Sequence, residues 1–168
     1  LATAQGKIKR VSPNYPNRES FEIISLSPGD VLVGAKKSSE ADALVLVSSD
    51  AQLLRFSADG VRPQGRTGQG IAGIRLSEGA RVLSLGVVPG DDIAGALVVT
   101  VSGNTAALPG TMPGSAKVTP LDRFPAKGRG TGGVRSQRFV RGEDCLQFAY
   151  VGPAPLRAMD AGGHPVEL

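Results

Sequence analysis

Gly65 to Val88, "GRTGQGIAGIRLSEGARVLSLGVV", lies over Gly128 to Val151, "GRGTGGVRSQRFVRGEDCLQFAYV", without a gap. Identities fall at Gly65/Gly128, Arg66/Arg129, Gly70/Gly133, Arg75/Arg138, Gly79/Gly142, Leu83/Leu146 and Val88/Val151. A fainter copy begins at Phe21, where "FEIISLSPGDVLVGA" sets Leu26, Ser27 and Gly29 over Leu76, Ser77 and Gly79. Similarity at a fixed spacing marks a repeat architecture, in which each unit buries its apolar face only against its neighbours. The other half of the unit recurs too: Ala43 to Phe56, "ALVLVSSDAQLLRF", returns as Ala96 to Pro109, "ALVVTVSGNTAALP", and the opening "LATAQGKIKRV" overlays Leu46 to Phe56. The repeats run approximately over 1–38, 42–88 and 95–152, with a partial copy over 154–168, in one domain of 1–168. By this register the first residue already stands inside a strand, so the chain is expected to be a piece of a longer array.

Each unit has strand grammar. "ALVLVSSDAQLLRF" is an apolar run, a Ser-Ser-Asp turn and a second apolar run, which predicts a hairpin; "RVLSLGVV" and "CLQFAYV" are rich in β-branched, aromatic and alternating residues. No helical period with caps is sustained, and Pro and Gly punctuate the chain too often for long helices. An all-β fold follows. A unit of roughly 45 to 60 residues with about four strands predicts a propeller-like blade, three nearly complete and one partial.

Composition supports a packed domain. The chain has 168 residues, 40% of them apolar, enough for a core and too many for a disordered chain. No apolar run approaches the roughly 20 residues that span a bilayer, so no membrane partner is expected. Cys145 is the only cysteine, which excludes a disulfide framework and fits a reducing cytoplasm.

The net charge is +4 but unevenly placed. Between Lys117 and Arg141 seven basic residues, Lys117, Arg123, Lys127, Arg129, Arg135, Arg138 and Arg141, face Asp122 alone. Lys7, Lys9 and Arg10 cluster at the first hairpin, and Arg55, Arg62, Arg66 and Arg75 fall at corresponding places in the next unit. Basic residues at one phase of a repeat are expected along one rim, where each neutralised phosphate releases counterions and the sum is binding without sequence preference. Tryptophan is absent and aromatic residues make up 4%, which disfavours stacking on unpaired bases and favours duplex backbone. The competing reading is a propeller-type scaffold for protein partners, its rim charge attracting acidic proteins.

Other candidate chemistry lacks its context. "GRGTGG", Gly128 to Gly133, satisfies G-x-G-x-x-G, but "FPAK" precedes it and the strand-like "VRSQRF" follows, whereas the dinucleotide fingerprint opens a helix. Its glycines are expected to serve positive φ or close backbone approach where the chain passes between blades. His164 is the only histidine, so neither a zinc site nor a His-based catalytic pair is expected. Tyr15 and Tyr150 are read as packing or surface residues, and Cys145 as core. Asp91-Asp92 and Glu143-Asp144 are read as solvated turns. No catalytic residue, metal site or small-molecule substrate is assigned.

"TAQGKIKRV", "LLRFSADGVRPQGRTGQGIAGIRL" and "PAKGRGTGGVRSQRF" together resemble the repeats in the C-terminal domain of the A subunit of bacterial type IIA topoisomerases, DNA gyrase and topoisomerase IV. The resemblance covers essentially the whole chain. It implies a β-pinwheel of repeated four-stranded blades that exchange strands and whose basic perimeter binds and bends duplex DNA. It implies a parent enzyme that is an ATP-dependent type II topoisomerase, cytoplasmic and nucleoid-associated. ATP and Mg would then be used on other domains or on the ATPase B-type subunit, with no cofactor on this chain. Gyrases carry a box, Q-(R/K)-R-G-G-(R/K)-G. Gln64 to Gly70, "QGRTGQG", keeps Gln64, Arg66, Gly68 and Gly70 of it but has Gly65 and Gln69 at basic positions and Thr67 at a glycine. That departure favours a topoisomerase IV-like parent over a gyrase.

Overall fold

The computed structural model describes residues 1–108, 111, 114–160 and 162–166. Four hairpins succeed one another along the chain: β1 (Ala2–Thr3) with β2 (Lys7–Ile8), β4 (Ala43–Ser48) with β5 (Gln52–Ser57), β8 (Ala96–Gly103) with β9 (Ala116–Pro120), and β12 (Ala158–Met159) with β13 (Pro165–Val166). In each of the first three units a longer strand returns antiparallel to the first hairpin strand: β3 (Leu32–Gly34), β7 (Val82–Val88) and β11 (Cys145–Pro153). All-β architecture built from repeats is therefore the observed fold.

The blades share strands. The short β6 (Ile71–Ala72) of the second repeat leaves its own unit and pairs with β2 of the first, giving a sheet ordered β3-β1-β2-β6. Likewise β10 (Val134–Arg135) of the third repeat pairs with β5, giving β10-β5-β4-β7. Among the described residues, the third sheet, β11-β8-β9, holds strands of its own repeat only. Because β7 packs against both β3 and β11, those three strands form the converging inner edges of the blades. The exchanged strands β6 and β10 accordingly form outer edges.

Close approach explains the glycines at the crossings. A Cβ on Gly70 would stand 2.8 Å from the carbonyl oxygen of Ile8, and one on Gly133 would stand 2.5 Å from that of Leu53. Ile8 and Leu53 occupy equivalent places in successive blades. A second recurring turn precedes each inner strand: Gly29, Gly79 and Gly142 have φ of +72°, +74° and +91°, a region L side chains rarely enter.

The core lies between blades in two layers. β4 reads as a continuous apolar run because both of its faces are covered. Leu44 and Leu46 join Ala2, Ile8, Leu54 and Phe56 in the layer toward blade 1, whereas Val45 and Val47 join Leu53, Val98, Leu146 and Val151 in the layer toward blade 3. A buried hydroxyl recurs at the end of the first hairpin strand in the first three repeats. Thr3, Ser48 and Ser102 accept the backbone N–H of Lys7 (3.3 Å), Gln52 (3.2 Å) and Ser115 (3.1 Å).

Two expected overlays are corrected. The second strand of the third hairpin, expected to end at Pro109, is Ala116–Pro120; Pro109 itself lies outside the described residues. An insertion in the β8–β9 turn displaces the strand, and its stand-in "NTAALP" lacks the apolar alternation of "QLLRF". The gapless register of Gly65–Val88 over Gly128–Val151 also slips by one residue in the inner strand. Ser48 faces Val82 and Ser102 faces Leu146, so Leu146 matches Val82 rather than Leu83, and Val151 matches Val87. The added residue falls where Glu143 and Asp144 reach across to the lengthened turn.

Candidate nucleic-acid interface

Strand exchange draws the basic loops into one continuous outer path. The loop Gln64–Gly70 starts at the first blade, where the N–H of Gln64 donates to the carbonyl of Arg10 (2.8 Å). It then closes on itself as the N–H of Gly70 donates to Gln64 Oε1 (3.0 Å). The chain runs on through β6 to Arg75, whose N–H donates to Thr131 (3.0 Å), while the Gly130 N–H donates to Gly73 (2.7 Å). The equivalent loop of the third repeat is thus laid against the exchanged segment of the second. It begins in the same way, the Lys127 N–H donating to Arg55 (2.9 Å), and continues through β10 to Arg138.

The thirteen basic residues expected on the rim fall into three groups. Arg62, Arg75, Lys117, Arg123, Lys127, Arg129, Arg135 and Arg138 are exposed. Arg129 is also aimed: its guanidinium donates to the carbonyls of Ala72 (2.6 Å) and Gly60 (3.3 Å) and so crosses from its own loop to the second repeat. Lys117, Arg135 and Arg138 line one shallow cleft with Ser115, Ser136 and Gln137. Among these eight, Asp122 is the acid nearest in sequence, beside Arg123.

A second group is half-buried and structural in part. Arg10 and Arg55 are equivalent, and each donates to the carbonyl at the head of the next repeat's loop, Arg10 to Val61 (3.5 Å) and Arg55 to Phe124 (3.0 Å). Arg10 also pairs with Glu40 at 3.0 Å. Lys7 donates to Ser27 Oγ (2.6 Å). Arg66 stands over the Phe21 ring, 5.8 Å from its centroid, with Nη1 buried. A guanidinium has five N–H groups, so these arginines clip repeats together and still add positive potential to the rim.

Lys9 is a correction. It is 2% exposed, and its ammonium donates to the carbonyls of Ile23 (2.8 Å), Arg66 (2.6 Å) and Gly68 (2.7 Å). All three of its N–H groups are committed, so it has none to offer a phosphate. Burial lowers its pKa, and Glu22 opposes that shift. Of the box-like residues, Gln64 and Gly70 clasp the loop, and a Cβ on Gly68 would lie 2.8 Å from Gln64 Oε1, so a side chain there would push on that clasp.

The acid pair Glu143-Asp144, read as solvated turns, holds backbone instead. Glu143 accepts the N–H groups of Ser115 (2.8 Å) and Val140 (2.9 Å), and its carboxyl is held down to about 2, chiefly by the Ser115 hydroxyl and then by the Val140 N–H. Asp144 accepts the N–H of Thr105 (2.8 Å), and its pKa is lowered, mainly by the Thr105 hydroxyl. Spacing carried no signal for these partners, because the lengthened turn has no counterpart in the other repeats. "GRGTGG" leads into β10, not a helix. His164 meets Asp160 at 3.2 Å, and Tyr15 stacks on Phe21 with centroids 5.7 Å apart. Cys145 is half-buried at the start of β11. Among the described residues no helix is long and apolar enough to cross a membrane.

Strand-exchanged four-stranded blades with a basic outer edge define a β-pinwheel, a member of the propeller-like class. A model of the family "DNA gyrase C-terminal domain, beta-propeller" matches residues 42–89 and 111–149; the chain belongs to this family. It is 38% identical over 139 residues to the DNA gyrase A subunit of Deinococcus deserti, covering 80% of this chain and 16% of that protein. To the DNA gyrase A subunit of Mycolicibacterium smegmatis it is 37% identical over 156 residues, covering 90% of this chain and 17% of that protein. The chain therefore spans about a sixth of the length of these relatives. In structure it is similar to the C-terminal domain of DNA topoisomerase IV, with a TM-score of 0.80 at 17% identity, covering 98% of this chain and 50% of that one. The C-terminal domain of E. coli ParC gives 0.72 at 19%, covering 98% and 66%.

Proposed function

We propose that this chain binds duplex DNA without sequence preference along its outer rim and bends it, as the C-terminal part of the A subunit of a type IIA topoisomerase. The observation that carries the reading is the continuous path of exposed Arg62, Arg75, Lys127, Arg129, Arg135 and Arg138 along the exchanged edges. Residues 1–168 would act as one binding unit, with Lys117 and Arg123 extending the path and Lys7, Arg10, Arg55 and Arg66 adding charge from behind. Bending some tens of base pairs costs of order 1 to 6 kcal/mol, offset by added phosphate contacts. The bend would present a second segment to a cleavage gate elsewhere in the parent enzyme. Catalysis, ATP and Mg would belong to other domains and to the B-type subunit, in the cytoplasm on the nucleoid.

Two observations bear on the parent. The departures from the gyrase box at Gly65, Thr67 and Gln69 favour a topoisomerase IV-like enzyme that relaxes and decatenates. The gyrase names of the relatives favour a supercoiling one. A protein-binding scaffold is the remaining alternative, and salt separates it from DNA binding. Two unrelated duplexes of about 40 base pairs are expected to bind equally, losing roughly 10³-fold in affinity between about 50 and 200 mM salt for six phosphate contacts. No binding to either duplex at low salt would overturn the reading.

A further inference from the structure

We propose that Lys9 is a positioning residue: its buried ammonium is the pin that holds the Gln64–Gly70 loop of the second repeat in its fixed shape on the first blade. The role in DNA binding rests on the function proposed above; the pin itself does not.

The geometry is specific. Lys9 lies on the blade's hairpin at the position that Leu54 takes in the second repeat and Lys117 in the third, by the register that sets Ile8 over Leu53 and Leu53 over Ala116. Two of its three acceptors, the carbonyls of Arg66 and Gly68, belong to a loop 57 and 59 positions away in sequence. Bonds from an ionised donor are roughly twice as strong as neutral ones, and more so away from water. Two backbone carbonyls turned inward would otherwise be buried without partners, at a desolvation cost that opens loops.

The repeats supply their own comparison. Lys117 donates to Ser136 (2.9 Å), the counterpart of the Lys9 bond to Ile23, so the first leg of the device recurs. In the second repeat, where leucine replaces lysine, the corresponding carbonyl of Gly73 takes the Gly130 N–H instead. The third repeat's loop is held by the N–H groups of Lys127 and Gly130 on Arg55 and Gly73, by Arg129, by the exposed Lys127 ammonium on Gly132 (3.3 Å) and by Thr131 Oγ1 on Gly128 (2.7 Å). Only the box-like loop among the two is tied through a buried charge. It carries Arg66 and follows Arg62, so fixing it also fixes where those two cations stand along the rim.

The test uses the chain without DNA first. In the wild type, the Lys9 ammonium should give a slowly exchanging NH₃⁺ resonance correlated with the carbonyls of Ile23, Arg66 and Gly68; one exchanging as fast as a surface lysine would overturn the pin. Lys9→Met keeps the stem and removes the donors. It should speed amide exchange over residues 65–70 by roughly tenfold or more, leaving residues 128–133 and strands β4, β5 and β8 unchanged. Unchanged exchange at 65–70 overturns the pin. With a 40-base-pair duplex, Arg66→Ala should weaken binding in the wild type and have no further effect in Lys9→Met. Equal effects in both backgrounds overturn the positioning role. Absence of duplex binding by the wild type would instead overturn the proposed function, while the exchange data still decide the pin.

Discussion

Gly133→Ala tests the strand exchange on which the rim depends. The added methyl would lie 2.5, 2.6 and 2.8 Å from the carbonyl oxygen, carbonyl carbon and nitrogen of Leu53. These are backbone atoms of a strand whose side chain is 1% exposed in the inter-blade core, so the strand has nowhere to retreat. The movable partner is β10, which must withdraw by roughly 1 Å to reach an ordinary contact, stretching the pairing of Val134 with Leu53 and of Arg135 with Gln52 beyond hydrogen-bond range. Overpacking of this kind costs about 1 to 3 kcal/mol, and two lost backbone bonds add about 0.5 to 1.5 each. A destabilisation of about 2 to 6 kcal/mol is expected, as a lower denaturant midpoint at unchanged m, with amide protection lost first at Gln52–Leu53 and Val134–Arg135. Gly65→Ala is the control, since a Cβ there meets nothing within 4 Å. Gly133→Ala matching Gly65→Ala to within about 0.5 kcal/mol, with protection retained, would refute the exchange.

Other outcomes follow from single contacts. Ser48 is 0% exposed and accepts the Gln52 N–H at 3.2 Å; Ser48→Ala leaves that donor unpaired and should cost about 1 to 3 kcal/mol by chemical denaturation. Glu143 has a folded-state pKa of about 2 against an ordinary 4.5. Its carboxylate therefore stabilises the fold fully above pH 4.5 and loses that effect as pH falls through about 2. Glu143→Gln should lower Tm at neutral pH and match the wild type at the acid end of that window, as calorimetry across pH would show. Lys127→Ala with Arg129→Ala should weaken binding to unrelated duplexes alike and flatten the salt slope by about 2; loss confined to one sequence would contradict backbone recognition.

Repeats were legible because packing repeats. Each blade needs the same apolar hairpin, the same glycine before the inner strand and the same bare backbone at the crossing, so Gly29/Gly79/Gly142 and Gly70/Gly133 align in the chain as they do in space. What sequence could not show was which sheet a strand joins. Ile71–Ala72 and Val134–Arg135 are too short to signal pairing, and their partners lie in the preceding repeat. The inserted β8–β9 turn hid the true second strand, since a gapless comparison has no way to skip it. Charge was legible as composition but not as exposure. Lys9 and Lys7 stand two apart in the same hairpin arm, yet one is enclosed by three carbonyls and the other is half-exposed. The hydroxyls of Thr3, Ser48 and Ser102 escaped notice because Thr and Ser at a turn are commonplace, and only their burial shows the shared bond.

Duplex binding along the rim is tested most directly by a map of amide shifts in the isotope-labelled chain as a duplex of about 40 base pairs is added. Perturbations are expected along one path, through residues 62–75 and 123–138, with the inner strands β7 and β11 silent. Shifts centred on those inner strands, or none at low salt, would contradict rim binding.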